Sequence, residues 1–164
     1  MEAKDIEEIV LTQAVLLPVA YEWDTMVQAQ FSLPCAVAMS IAGGEPGPGW
    51  YQTGRFKDPD IRELARKVKV VEDAEASELW VKYGQLVGTA EVKTRDGKIR
   101  RAHIEYPKGE PENPLTEEEL QHKFMTNAMA TLGQRKAEEL KQRLLHLEEV
   151  KDVSTLTNLL YPHD

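Results

Sequence analysis

Cysteine is almost absent from this sequence, in which Cys35 is the single example. One thiol cannot close an internal disulfide bond or build a cysteine-based metal cage, so both are excluded within the chain. A basic surface is missing too: the formal net charge is -8 at pH 7, and no run of Lys and Arg with interleaved aromatics offsets it. Because this charge repels phosphate groups, we predict no nucleic acid partner.

Long hydrophobic runs are also missing. The longest, over residues 9–20, is interrupted by Thr12, Gln13 and Pro18, and it is shorter than the roughly 20 apolar residues that cross a bilayer. The N-terminus is acidic and polar, unlike the basic start and apolar middle of a signal peptide. We therefore predict no membrane association and a cytoplasmic location, with which the single cysteine agrees.

The residues that are present mix strand and helix patterns. Of the 164 residues, 41% are hydrophobic and 29% are charged, as in an ordinary folded domain. Branched residues over 5–17 predict a strand, and 21–30 read as a connection. Ser32 is a candidate N-cap, with Pro34 in the first turn of a buried helix that Gly43-Gly44 ends.

Glycine and proline predict a loop over 45–54, either a surface connection or a substrate-covering segment. A second helix is expected to begin with Asp58 as its cap, before Pro59. Alternation over 67–71 indicates another strand. The stretch 77–87 is ambiguous between a strand and an irregular packed connection.

The clearest local signal is a hairpin over 89–106, in which Asp96-Gly97 is expected to form a two-residue turn. After a proline-rich interruption, Thr116 and Glu119 form a capping box that begins a helix. Apolar stripes then predict successive helices that carry Leu120, Phe124 and Ala128, then Leu140, Leu144 and Leu147 from about Gln134, then Leu156, Leu159 and Leu160. The predicted fold class is α+β: an antiparallel sheet with helices on one face, followed by an all-helical C-terminal tail.

Candidate catalytic residues are few. The histidines are His103, His122, His146 and His163, and none has a His, Cys or acid partner at a metal-binding spacing in the sequence. We therefore predict no metal and no cofactor. His122 and His146 are expected on solvated helix surfaces. Cys35 lies one turn into a buried helix, whose N-terminus would lower its pKa while apolar surroundings would raise it, and we favour an inert core thiol.

Three stretches resemble the MmgE/PrpD family. Ala29-Gln-Phe-Ser-Leu-Pro-Cys-Ala-Val-Ala38 is similar to that family's AQFSLPYAVA signature, 58–68 is similar to the segment that follows, and 95–124 is similar to the block that closes the lid domain. Order and spacing agree as well. With residues 4–10, the resemblance covers nearly the whole chain, and the proline and asparagine placement within 107–124 is its most specific part.

This resemblance implies a fold and an activity. Members of the family, among them 2-methylcitrate dehydratase and cis-aconitate decarboxylase, are lyases and isomerases that move protons beside the carboxylates of small polyacids without a metal. They pair a large helical domain with a smaller α+β lid. The resemblance implies that residues 1–114 are the lid and that residues 115–164 are helices that pack on the family's helical domain, which is missing from this sequence.

The resemblance carries one site residue onto this sequence. The tyrosine of the family's SLPY motif, which faces the cleft between the domains, corresponds to Cys35, so Cys35 is the candidate catalytic position. A thiol is shorter than a phenol and a weaker hydrogen-bond donor, so it would not reach the same substrate atom. The family's other active-site residues lie upstream of this sequence, and substrate-binding residues are not assigned.

Two functions follow as expectations. In the first, the chain is the C-terminal portion or small subunit of a polyacid lyase, inactive alone, and a separate helical MmgE/PrpD chain completes it and binds a small polycarboxylate with it. Met1, directly before the lid segment, motivates this split enzyme. In the second, the chain is a noncatalytic interaction or ligand-binding module that self-associates, which Cys35 in place of tyrosine favours.

Overall fold

The computed structural model of the chain describes residues 2–14, 19–52 and 54–161. It divides into two compact units, Met1–Pro114 and Leu115–Asp164. The first unit contains a sheet and the helices packed on it, and the second consists of helices and turns.

A four-stranded sheet organises the N-terminal unit, with the strand order β2-β1-β3-β4. The strands are β1 (Ile6–Gln13), β2 (Val68–Glu72), β3 (Gly88–Thr94) and β4 (Ile99–Ile104). The predicted α+β class and the mostly antiparallel sheet are confirmed. The β1–β2 pair is parallel, because the long segment between these strands carries the chain back to the same end of the sheet. The part of the predicted first strand at 15–17 lies outside the described residues.

An extra residue interrupts the regular pairing of β1 with β3. Ile6 lies opposite Thr94 and Glu8 lies opposite Lys93, so the register shifts by one residue between them. Such a bulge reverses the alternation of side chains along one strand. As a result, Ile6 and Ile9 both face the core, although three positions separate them, and both are fully buried.

The N-terminal unit contains five α-helices within the described residues. They are α1 (Met26–Gln30), α2 (Leu33–Ala42), α3 (Gly49–Gln52), α4 (Pro59–Ala65) and α5 (Ala74–Tyr83). The contiguous core joins strand residues to the buried faces of α2 and α4; among its fully buried members are Ile6, Ile9, Cys35, Ala38, Met39, Ile61 and Val68. Burial of this apolar surface is the main stabilising contribution to the unit.

Two predicted connections contain short helices instead. Thr25 accepts a hydrogen bond from the Gln28 amide, and this cap begins α1 inside the stretch 21–30. The loop predicted over 45–54 contains α3. Each helix is a single turn or little more, too short to leave an apolar period in the sequence.

The ambiguous stretch 77–87 was wrongly interpreted as a strand or an irregular connection, because most of it is α5. Asp73 caps this helix by accepting a hydrogen bond from the Ala76 amide, and Gly84 ends it with a left-handed φ of 69°. Ala76 is its one buried residue within the described part of the chain. Because so little of the helix packs against the core, its sequence shows no clear apolar periodicity.

The hairpin is confirmed, but its turn is one residue longer than predicted. The Gly97 amide donates to the Thr94 carbonyl at 2.8 Å, and the Thr94 amide donates to the Lys98 carbonyl at 2.9 Å. This is a three-residue loop with a bulge at Gly97, whose φ is 81°. Asp96 does not take the positive φ that the two-residue turn requires; its carboxylate accepts hydrogen bonds from Lys98 and Thr94, which hold its pKa well below the ordinary value.

The C-terminal unit begins with α6 (Glu117–Leu145) and the predicted capping box of Thr116 and Glu119, which is confirmed. Gly133 breaks α6 with φ 74° and ψ 163°, so two helical segments follow one another near the predicted boundary. A short helix, α7 (Ser154–Thr157), and a 3-10 turn at Asn158–Leu160 follow. Within the described ranges, no helix is long and apolar enough to span a membrane.

Candidate functional site

The start of α2 is anchored by Ser32, as its sequence predicts. Its Oγ accepts a hydrogen bond from the Cys35 amide at 3.2 Å and donates one to the Ala20 carbonyl at 2.6 Å. Ser32 is fully buried. One hydroxyl therefore satisfies a free helix N–H and also fixes the preceding segment, which makes this helix start a rigid element.

Cys35 lies in the core directly below this helix start, and its side chain is fully buried. Burial raises the pKa of the Cys35 thiol to about 11, and the charge on Arg62 opposes this shift only in part. The thiol is therefore protonated at neutral pH and is not activated as a nucleophile. That Cys35 occupies the position of the family's active-site tyrosine remains a prediction. Its burial favours a role in core packing.

Trp23 and Arg62 brace the same region. The indole N–H of Trp23 donates to the Phe56 carbonyl at 2.8 Å, and Nη2 of Arg62 donates to the Trp23 carbonyl at 2.7 Å. The Arg62 guanidinium also lies 5.1 Å from the centre of the Trp23 ring, at a distance suited to a cation–π interaction. Glu22 adds an ion pair to Arg62 at 3.5 Å.

The glycine- and proline-rich loop after α2 is closed by Arg55. Its guanidinium donates to the Ala42 carbonyl at 3.0 Å and pairs with Asp58 at 2.5 Å and with Asp60 at 3.0 Å. Asp58 occupies the predicted cap position before Pro59, but its side chain makes no capping hydrogen bond, because it binds Arg55 instead. Within the loop, the Trp50 indole donates to the Gly44 carbonyl at 3.3 Å.

Tyr51 extends from this loop toward the core. Its ring centre lies 6.2 Å from that of Phe56. Burial raises the pKa of the Tyr51 phenol, and the charge that Cys35 would carry raises it further. Both groups are therefore protonated at pH 7 and do not form a charged acid–base pair.

An apolar cavity of about 410 Å³ opens on the core face of the sheet, beside the first residue of α2. Gln13 and Thr89 are the polar side chains of its lining, and no Lys, Arg or His belongs to the lining within the described residues. The remaining lining residues are small or apolar: Leu11, Ala14, Leu33, Leu86, Val87, Gly88, Ala90, Ala102, Ile104 and Pro107. A cavity of this character does not by itself suit a polycarboxylate, whose charges require cationic partners.

The described histidines lie apart from this region or on its surface. Nδ1 of His103 is 2.9 Å from Oγ1 of Thr89 on an exposed strand, and His122 is exposed on its helix, as predicted. His146 is exposed at the end of α6, as predicted, and the side-chain ligand atoms of His146, Glu148 and Glu149 lie within 4.8 Å of one another. The residues are all exposed, and groupings of this kind are common on protein surfaces without an ion.

The structure thus places Cys35 in a buried region that the hydrogen bonds of Trp23 and Arg62 stabilise. Sequence reasoning missed Trp23, Tyr51 and Arg62 as neighbours of this helix start. The charged and aromatic types were visible in the sequence, but they carried no spacing that links them, since the fold alone brings their segments together.

A small α+β sheet domain followed by a helical segment is the class that this architecture defines. The model of the MmgE/PrpD C-terminal domain matches residues 1–149. The chain therefore belongs to the MmgE/PrpD family, which confirms the resemblance found in the sequence.

Curated relatives include two mammalian enzymes. The chain is 29% identical over 125 residues to human cis-aconitate decarboxylase, which covers 76% of the chain and 25% of the enzyme. It is 27% identical over 137 residues to the mouse cis-aconitate decarboxylase, which covers 84% of the chain and 28% of the enzyme. The chain thus spans about a quarter of the length of the curated relatives it matches.

Proposed function

We propose that this chain is the C-terminal portion, or the small subunit, of an MmgE/PrpD lyase or isomerase that acts on small polycarboxylic acids. The reaction would be a dehydration, decarboxylation or epimerisation by proton transfer without a metal. The chain is inactive until a helical region, either upstream in the same polypeptide or on a separate chain, completes the enzyme.

The observation that carries this proposal is a comparison of two fractions: the family domain matches most of this chain, but this chain matches only a small part of the full-length relative. The C-terminal domain model matches residues 1–149, whereas the same region is only 25% of the human cis-aconitate decarboxylase. The activity of that relative therefore belongs to a protein about three times as long as this chain. Most of that enzyme therefore has no counterpart in this chain.

The chemistry of the described residues supports the same conclusion. Cys35 is buried and protonated, and the apolar cavity at the sheet has no basic residue in its described lining. Metal-free proton transfer next to a carboxylate needs a base within hydrogen-bond reach of the substrate and cations that bind its charges. A second region must supply both.

The C-terminal unit presents a surface on which a helical region can pack. Its helices form an apolar groove of about 560 Å³ lined by residues that include Leu120, Phe124, Ala128, Leu132, Leu140 and Leu160. Leu120 and Leu160 are each more than half exposed. Contiguous exposed apolar surface of this kind marks an interaction site.

The test compares the purified chain with the completed enzyme. If the helical region is a separate chain, affinity capture from the native cells followed by mass spectrometry is expected to recover it. If it belongs to the same polypeptide, the upstream DNA is expected to encode it in the same reading frame. Consumption of cis-aconitate and of 2-methylcitrate is then followed for the chain alone and for the completed enzyme. Turnover by the chain alone would overturn the claim of inactivity, and a completed enzyme that converts no polycarboxylate would overturn the proposed chemistry.

A second candidate function is a noncatalytic binding module that self-associates. The specific observation that favours it is Cys35, a buried thiol at the position of the family's tyrosine. This candidate predicts that affinity capture recovers no helical MmgE/PrpD chain and that the upstream DNA encodes no such region. It also predicts that a second copy covers the apolar groove of the C-terminal unit. Sedimentation of the purified chain would then show a dimer.

A further inference from the structure

The strand β4 forms an outer edge of the sheet. It pairs with β3 on one side and is the last strand in the order β2-β1-β3-β4. All six of its residues are exposed. An exposed edge offers unpaired backbone N–H and C=O groups to an incoming strand.

The hydrogen bonds of the hairpin show which backbone groups of β4 point outward. The Thr94 amide donates to the Lys98 carbonyl, and in an antiparallel pair such hydrogen-bonded positions alternate with positions that face away. The even-numbered residues of β4 therefore pair with β3. Ile99, Arg101 and His103 direct their N–H and C=O groups toward the free edge, where they meet no strand within the described part of the chain.

The side chains of this edge are basic in an otherwise acidic protein. The formal net charge is -8, yet the run from Lys98 to Ile104 contains Lys98, Arg100, Arg101 and His103 and no acid. Glu91 lies opposite Arg101 on β3. On its outer side the edge is complementary to an acidic strand.

The core face of the same edge adjoins the apolar cavity of about 410 Å³. Ala102 lies opposite Ala90, and Ile104 lies opposite Gly88. The two alanines and the absent side chain of Gly88 leave a hollow beside the edge, which Leu11, Leu33 and Pro107 also line. A strand added to β4 would alternate its side chains between this hollow and the basic face.

A second copy of this chain fits the edge poorly. In antiparallel pairing about a two-fold axis, an axis at Arg100 or Arg101 brings identical arginines opposite each other. Like charges directly opposite across a strand pair are destabilising.

We propose that β4 is a docking edge for an extended acidic segment of a partner polypeptide. The segment hydrogen-bonds to the outward backbone groups of Ile99, Arg101 and His103, places acidic side chains beside Arg101, and directs apolar side chains toward the hollow at Ala102. This mode of recognition extends a sheet by one strand, with affinity from the backbone and selectivity from alternate side chains. The proposal is independent of the enzymatic function.

The test titrates the full chain, labelled with ¹⁵N, with a synthetic peptide in which leucine and glutamate alternate. The expected result is saturable shifts of the Ile99, Arg101 and His103 amides, slower hydrogen exchange at these amides, and weaker binding as salt rises. A peptide with lysine in place of glutamate is expected not to bind.

Two variants separate the backbone and charge contributions. Arg101→Glu is expected to weaken binding about tenfold, whereas Arg66→Glu makes the same charge change at the end of α4 and is expected to leave the affinity unchanged. His103→Pro removes one outward N–H and the side-chain hydrogen bond to Thr89 but keeps the backbone hydrogen bonds to β3, so it is expected to weaken binding in a folded protein.

Three outcomes would overturn the proposal. The first is no binding, which would leave the arginines with only the aggregation-blocking role that edge charges have. The second is equal binding of the lysine peptide or shifts confined to another surface. The third is a concentration-dependent shift of the β4 amides without peptide, which would assign the edge to a second copy.

Discussion

Arg62 holds Trp23 by two contacts at once. Its Nη2 donates a hydrogen bond to the Trp23 carbonyl at 2.7 Å, and its guanidinium lies 5.1 Å from the centre of the Trp23 ring. The indole N–H of Trp23 in turn reaches the Phe56 carbonyl. The segment at Trp23 is therefore fixed to the distant segment that contains Phe56 and Arg62, and the stability of this region depends on a few long-range hydrogen bonds.

The first prediction tests the indole hydrogen bond. Trp23→Phe keeps an aromatic ring but leaves the buried Phe56 carbonyl without its donor, so the free energy of unfolding is expected to fall by about 1–3 kcal/mol. Urea unfolding followed by circular dichroism measures it. Trp80→Phe is the matched control, because the Trp80 indole forms no hydrogen bond with any described residue and its ring is partly exposed. Equal losses for both variants would show that only ring size matters.

The second prediction concerns the helix cap at Ser32. Ser32→Ala removes both the acceptor for the Cys35 amide and the donor to the Ala20 carbonyl, and a loss of about 1–3 kcal/mol in the free energy of unfolding is expected. Ser40→Ala, in the same helix, removes an exposed hydroxyl bonded to the Ala36 carbonyl and should change stability by less than about 0.5 kcal/mol. A Ser32 variant as stable as the Ser40 variant would contradict the dual role.

The third prediction concerns the break in α6. Gly133 has φ 74° and ψ 163°, a backbone region essentially confined to glycine. Gly133→Ala is therefore expected to destabilise the C-terminal unit by about 1–3 kcal/mol, seen as faster hydrogen exchange of the amides in α6. A Cβ there meets no atom within 4 Å, so the cost is one of backbone conformation.

Gly49→Ala is the control for this break, because Gly49 lies in a helical turn, without a positive φ and with open space around a Cβ. It is expected to leave the exchange rates of α6 unchanged. If Gly133→Ala instead slows exchange across the break, a continuous helix is accessible to the sequence and the prediction is wrong.

The fourth prediction concerns pH. Burial raises the pKa of Cys35 from 9.0 to about 11, so between these values the unfolded chain loses a proton that the folded chain keeps. The Cys35 contribution to stability is therefore fully present below pH 9 and is lost as the pH rises toward 11, by about 2 kcal/mol. The measurement is the difference in unfolding free energy between the wild type and Cys35→Ala at pH 8 and at pH 11.

Other titrating groups cancel in that difference, which isolates the thiol. The same burial predicts that iodoacetamide modifies Cys35 at pH 8 far more slowly in the folded protein than in urea. A pH-independent difference, or rapid modification of the folded protein, would mean that the thiol is accessible and would revive a role for it in a site.

The parts of the fold that the sequence predicted are those with local physical signals. Ser32 before Pro34, the Thr116–Glu119 capping box and the glycine of the hairpin each satisfy backbone groups within a few residues, and each lies where it was expected. The tail also breaks close to the predicted boundary, because Gly133 alone permits that backbone conformation.

The parts that sequence reasoning missed depend on tertiary contacts or on weak patterns. The helix α5 had both end signals, Asp73 and Gly84, but its interior buries little and so shows no period. The parallel pairing of β1 with β2 is decided by the path of the helices between them. Around Cys35, the neighbours Arg62 and Tyr51 come from segments that no spacing connects.

The extra residue in β1 has a consequence for how members of this family are compared. Ile6 and Ile9 share the buried face although three positions separate them. In a relative that lacks the extra residue they would be two positions apart on a regular strand, and both would still face the core. A one-residue gap in an alignment at Glu7 therefore does not mark a poorly matched loop. It distinguishes relatives whose first strand is regular from those in which it bends, and hence relatives whose sheet edges point in different directions.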